Sequence, residues 1–148
     1  HIPDGIDERV REMLQTTDPK WPEVTAMIKR ADILIHGIGR AREMAARRGL
    51  TPDVIAKITG RGAVGEALGH YCTLQGEDVY VTSSVGLRLD DLNGVGIVIA
   101  VAGGRDKAAA IIAVTGAGGP DYLVTDEAAA RAMQAILRQI KGGIANGD

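Results

Sequence analysis

Between Ala31 and Gly39 the chain reads ADILIHGIG, a short continuous apolar run that stops at Gly37 and Gly39. An apolar run of this length without polar alternation is the pattern of a strand covered on both faces, as in a parallel sheet. Similar apolar stretches at Val95–Val101 and Tyr122–Val124 predict two more strands. Helical spacing occupies the intervals. Ile6, Val10 and Leu14 predict an amphipathic helix from Ile6 to Gln15, stopped by Pro19 and Pro22. Pro22 suits the first turn of a second helix reaching Arg30, with Val24, Met27 and Ile28 on its inner face. RAREMAARRGL predicts a short helix closed by Gly49, and Thr51-Pro52 caps another to Ile58. Two further helices are predicted at Arg105–Thr115 and Asp126–Ile140.

The middle, from Gly60 to Leu92, is less regular. HYCTLQGEDVYV predicts two short strands about a Gln75-Gly76 turn, and SSVGLRLDDL allows one more. The tail GGIANGD, residues 142–148, is expected to be disordered. Alternating strands and helices with right-handed crossovers imply an α/β fold, a mainly parallel Rossmann-like sheet with helices on both faces. Ligands of such sheets sit beyond the carboxyl ends of the strands. Three stretches occupy that position: His36-Gly37-Ile38-Gly39, Gly103-Gly104-Arg105 and Thr125-Asp126-Glu127.

Composition narrows the function classes. The 148 residues suffice for one domain or a piece of one, and the absence of phenylalanine requires an aliphatic core. A net charge of −2 offers no electrostatic case for a nucleic-acid surface. The single cysteine, Cys72, has no partner for an internal disulfide, and no Cys/His spacing suggests structural zinc. No apolar run is long enough for a membrane span. The expectation is a soluble cytoplasmic protein with neither metal nor cofactor. The chain opens on HIPDG rather than methionine, and is expected to begin inside a domain.

The candidate chemistry centres on VAGGRDKAAAII, Val101 to Ile112. A strand leaves through two glycines into a helix, the shape that holds phosphate on backbone amides. The stretch matches neither GxxxxGK[ST] nor GxGxxG. Lys107 lies in the first helical turn, against the helix dipole, which suggests a bound anion; Asp106 could also compensate it. The plainer reading is a strand-to-helix turn with a solvated lysine. Arg40, Arg42, Arg47 and Arg48 crowd one short helix, mostly as a solvated face, but the adjacent Arg47-Arg48 pair points in two directions. One of the two could turn a guanidinium fork toward a phosphate. Glu66, in RGAVGEALG, is a surface carboxylate, an acceptor for sugar hydroxyls, or a base without an evident partner acid. His36 ends a buried strand, where a structural role is the common one. Asp126 and Glu127 stand where helix capping alone would put them.

In order along the chain, ADILIHGIGRAREMAARRG, GAVGEALGHY, SSVGLRLDDL, VIAVAGGRDKAAAI and YLVTDEAAARAMQAIL resemble the SorC-type sugar-responsive bacterial repressors. The resemblance runs from about Ile2 onward. It implies the effector domain of a transcriptional regulator, with a fold like that of sugar-phosphate isomerases. The implied ligand is a phosphorylated sugar, such as a hexose bisphosphate or a triose phosphate. Carried onto this sequence, it implies phosphate contacts from Lys107, from the amides around Gly103 and Gly104, and from Arg47. It implies hydroxyl contacts from Glu66. It also implies DNA binding only through a separate N-terminal domain absent here, no membrane contact, and a homo-oligomer. Residues 1–141 would then be the C-terminal part of the effector domain, lacking an upstream phosphate loop. Effector sensing requires no nucleophile and no acid–base pair, so no enzymatic activity is expected. The alternative is a sugar-phosphate isomerase, whose acid–base pair would be Glu66 and His36. An oligomerisation module without a ligand is a third reading.

Overall fold

The computed structural model describes residues 20–82 and 89–145. Helix α1 (Lys20–Lys29) leads into β1 (Ile33–Gly37) and the two-residue β2 (Gly39–Arg40). Helices α2 (Ala41–Arg47) and α3 (Pro52–Gly60) follow, then β3 (Ala63–Ala67), β4 (His70–Thr73) and β5 (Asp78–Val81). A 3₁₀ turn at Leu89–Gly94 precedes β6 (Ile97–Val101), and another at Arg105–Lys107 opens α4 (Ala108–Gly116). Strand β7 (Tyr122–Val124) and helix α5 (Glu127–Ala145) complete the described chain.

The three apolar runs form one parallel sheet in the order β1-β6-β7, with Ile35 beside Ile99 and Ile99 beside Tyr122. The irregular middle builds a second, antiparallel sheet, β2-β3-β4-β5. The two strands expected about Gln75-Gly76 are β4 and β5. Of SSVGLRLDDL, residues 83–88 lie outside the described residues, and Leu89–Gly94 is 3₁₀ rather than strand. The helix expected at Ile6–Gln15 also lies outside them. Helix α5 continues past Ile140 to Ala145.

Helix α4 explains how the two sheets fit together. Its sequence, AAAIIAVTG, is apolar on every side, which marks a helix surrounded by protein. Ala110, Ile111 and Val114 pack with Ala100 of the parallel sheet, Ala67 of the antiparallel one and Ala129 of α5. Ala113 packs with Val98 and Cys72. Small residues permit this approach, and an ideal Cβ on Gly65 would lie 2.6 Å from the Ala110 carbonyl oxygen. A third cluster joins Ala41, Ala45 and Ile58 to Ala63 and Tyr71, and Tyr71 meets Tyr80 edge-on with ring centroids 5.7 Å apart. Thr51 and Pro52 start α3 as expected: the Thr51 hydroxyl accepts from Val54 N–H at 3.5 Å. Among the described residues, the helices that pack on the parallel sheet meet its Leu34, Val98, Ala100 and Leu123, while Ile33, Ile35, Ile97, Val101, Tyr122 and Val124 on the other face are exposed.

Cys72 is fully buried between α4 and the antiparallel sheet, and burial, with the Asp78 and Glu66 charges, pushes its thiol up to about 12. The folded state therefore holds this proton more tightly than the unfolded chain. Its stability contribution is complete below the free-thiol range and is lost as pH rises toward 12. Native protein should resist iodoacetamide at pH 8 and react only on unfolding. The Cys72→Ala variant should show a shallower loss of stability between pH 9 and 11 in urea titrations.

Candidate functional site at the carboxyl ends of the parallel strands

The loops after β1, β6 and β7 converge, and side chains tie them together. After β6 the chain turns at Gly104, whose φ of 99° lies in the region glycine tolerates. The 3₁₀ turn that follows presents Arg105, Asp106 and Lys107. Lys107 is half-buried, and its Nζ donates to the Ile38 carbonyl at 3.3 Å. The ammonium therefore crosses from the β6 loop to the β1 loop instead of pointing into solvent. Arg40 Nη1 lies 3.3 Å from Asp106 Oδ2 and makes a second link between these loops. Arg40 also donates to Glu43, and holds the Glu43 carboxyl below its usual range.

The β7 loop is held by Asp126. Oδ1 accepts from Ala129 N–H at 2.8 Å and caps α5, as sequence reasoning expects. Oδ2 accepts from Gly104 N–H at 2.6 Å, a contact across 22 positions that the sequence does not signal. These backbone donors hold the Asp126 carboxyl below its ordinary range. A carboxylate thus sits on one of the amides that the glycine turn offers to an anion, beside Gly103.

Glu66 is brought to the same region by sheet pairing. It lies opposite Gly39, next to the carbonyl that Lys107 grips. Only 3% of it is exposed, and Oε1 accepts from both Arg48 Nη2 and Gly69 N–H at 2.8 Å. The Gly69 contact is set by the two-residue turn between β3 and β4, where Leu68 and Gly69 have φ of 52° and 87°. Positive φ at both central residues is the type I′ hairpin geometry.

Of the residues inferred for the ligand, Glu66, Lys107, Gly103 and Gly104 come together at the strand ends. Arg47 has a side chain 71% exposed and pairs with Glu43 at 3.2 Å, and Glu43 in turn pairs with Arg40, which reaches Asp106 beside Lys107. Arg48 is the arginine that reaches Glu66. A signal for this exists in the sequence. Ala41 and Ala45 form the buried stripe of α2, and a residue seven after Ala41 falls on that stripe while Arg47 does not. His36 is buried, with Nδ1 at 3.1 Å from the Gly37 carbonyl.

The site sets Lys107, Arg40 and Arg48 among the carboxylates of Asp106, Asp126 and the sequestered Glu66, a mixture that suits a ligand with both anionic groups and hydroxyls. Residues 1–135 match the family model of the sugar-binding domain. The chain is 42% identical over 132 residues to a protein named central glycolytic genes regulator from Priestia megaterium, covering 88% of this chain and 38% of that protein. The Bacillus subtilis protein of the same name is 45% identical over 114 residues, covering 77% of this chain and 34% of that protein. The chain thus spans little more than a third of the curated relatives it matches. A solved structure described as a SorC family transcriptional regulator from Enterococcus faecalis superposes with a TM-score of 0.81 at 34% identity. The match covers 90% of this chain and 54% of that one.

Proposed function

Because this chain belongs to the family of the sugar-binding domain, we propose that it is the effector-sensing part of a cytoplasmic bacterial transcriptional regulator of sugar metabolism. Its ligand is a phosphorylated sugar, of the hexose bisphosphate or triose phosphate class. The names of the relatives, regulators of central glycolytic genes, support that class. The observation that carries the reading is the position of Lys107. A cation in the first turn of a helix is held across the strand ends on the Ile38 carbonyl, one residue from Gly39, which pairs with Glu66.

A phosphate entering there exchanges a neutral acceptor on Lys107 for a charged one and takes up the amides around Gly103 and Gly104. The Asp126 carboxylate already occupies the Gly104 amide, so phosphate at that amide displaces it or binds alongside. Glu66 accepts from sugar hydroxyls with the oxygen less engaged by Arg48 and Gly69. Binding need only favour one state of the longer regulator for the signal to reach its DNA-binding domain. The isomerase reading is not favoured: the relatives bear regulator names, and the Glu66 carboxylate is already held by a guanidinium and an amide.

Titration calorimetry with a hexose bisphosphate and a triose phosphate tests this. The Lys107→Ala variant is expected to bind ten- to a hundredfold more weakly, the equivalent of roughly 1.5–3 kcal/mol for a charge-assisted contact. Its melting temperature should stay within a few degrees of the parent. Unchanged affinity would make Lys107 a structural tether between loops and nothing more.

A further inference from the structure

Among the described residues of the site, Asp126 is the carboxylate that no cation balances. Glu66 has Arg48, Asp106 has Arg40, Glu43 has Arg40 and Arg47, and Glu127 has Arg131. The charge of Asp126 is met by backbone donors instead. Oδ1 accepts from Ala129 N–H at 2.8 Å and Oδ2 from Gly104 N–H at 2.6 Å. The amides of Ala129, Gly104 and Ala128 hold the carboxyl below its usual range, so it is ionised at neutral pH. Amides converging from a helix start and a glycine turn are the surroundings of a bound anion. Here the chain supplies that anion itself.

The seat is close-fitting. An ideal Cβ on Gly103 would lie 2.5 Å from Asp126 Oδ2 and 3.3 Å from its carboxyl carbon. The first glycine of the loop therefore makes room for the carboxylate before any ligand arrives. A backbone amide has one proton to donate, and the 2.6 Å contact already uses that of Gly104. A phosphate drawn to the same amide would stand anion against anion with Asp126, and like charges in contact repel too strongly to share one donor. One of the two has to leave.

We propose that Asp126 is a built-in competitor for the ligand's phosphate, setting the effector concentration at which the domain responds. The inference rests on the reading of this loop as a phosphate site, and it selects displacement over binding alongside. Every ligand that takes the Gly104 amide bears the same cost of ejecting the carboxylate. A neutral sugar, which leaves the amide alone, bears none. Ejection also breaks the tie between the β6 loop and the start of α5, a contact across 22 positions.

The test follows the Gly104 amide of the 148-residue chain by NMR while inorganic phosphate is added. In Asp126→Asn the single side-chain oxygen still caps Ala129, and the NH2 group has no lone pair for Gly104. Phosphate should shift the Gly104 resonance of this variant at a concentration at least about tenfold lower than in the parent, as expected when a charge-assisted competitor is removed. Glu127→Gln deletes the neighbouring carboxylate, which pairs with Arg131, and should titrate like the parent. Gly103→Ala, whose Cβ takes the place of Oδ2, should speed solvent exchange of the Gly104 amide as Asp126→Asn does, and reads the same contact if the asparagine weakens the helix start. A hexose bisphosphate should gain affinity for Asp126→Asn in the same ratio, and the unphosphorylated hexose should gain none. Equal phosphate titrations of parent and Asp126→Asn overturn the proposal, and so does a Gly104 resonance that responds in neither. An equal gain in Glu127→Gln also overturns it, by assigning the effect to charge acting through space. A hexose bisphosphate that binds neither protein, while inorganic phosphate keeps its difference, refutes the sugar ligand and supports the competitor.

Discussion

Replacing Glu66 by alanine should destabilise the chain by about 2–4 kcal/mol and abolish measurable effector binding. The carboxylate is almost wholly buried and serves two donors, Arg48 Nη2 and Gly69 N–H, each at 2.8 Å. Removing one member of a fully buried ion pair costs about 3–5 kcal/mol, because the remaining charge loses its compensation. The Arg48 side chain is 25% exposed, so water recovers part of that cost and the lower range applies here. The amide of Gly69 would also lose its acceptor inside a hairpin turn that already holds Leu68 at positive φ. Chemical denaturation of Glu66→Ala, Arg48→Ala and the double variant gives the coupling directly. A coupling energy of at least about 1 kcal/mol is expected for residues in contact. Strict additivity would show that the pair contributes nothing specific. Glu66→Gln separates the roles: it keeps an acceptor for Gly69 and loses the charge, so it should recover part of the stability but little of the binding.

The second large effect lies 2.6 Å from a backbone oxygen. Gly65→Ala should cost about 1–3 kcal/mol, the usual range for overpacking a filled interior. The added Cβ would meet Ala110 O at 2.6 Å and Ala110 Cα at 3.0 Å, and both belong to the backbone of α4. No side chain can swing away, so helix and sheet must separate. That movement shifts the turn holding Lys107, which immediately precedes α4. Binding should therefore fall along with stability. Gly60→Ala is the control, since nothing lies within 4 Å of its Cβ and it closes α3. It should be neutral or stabilising by up to about 1 kcal/mol. Thermal melts distinguish the two variants readily, at roughly 2–4 °C per kcal/mol for a chain near this size. Equal melting temperatures would mean that α4 and β3 are less tightly apposed than this geometry requires.

Much of the architecture is written in local pattern. Strands β1, β6 and β7 follow from unbroken apolar runs ended by glycine or a polar turn, and α4 from an alanine-rich segment with no polar face. Backbone hydrogen bonding and side-chain burial act over a few residues there, so neighbouring residues suffice to specify the element. The positions of Lys107, Gly103 and Gly104 at a strand end follow for the same reason, because a parallel strand fixes which end its following loop occupies. Other features depend on partners far away in the chain. That Arg48 rather than Arg47 meets Glu66, 18 positions on, depends on how α2 lies against β3. That Asp126 caps its own helix is local; that it also takes the Gly104 amide depends on β6 and β7 being neighbours. The antiparallel sheet, and which face of the parallel one the described helices cover, likewise depend on the path of the whole chain across the strands. An apolar run states that a strand must be covered, but the covering residues are chosen by packing in three dimensions, where sequence separation carries no weight.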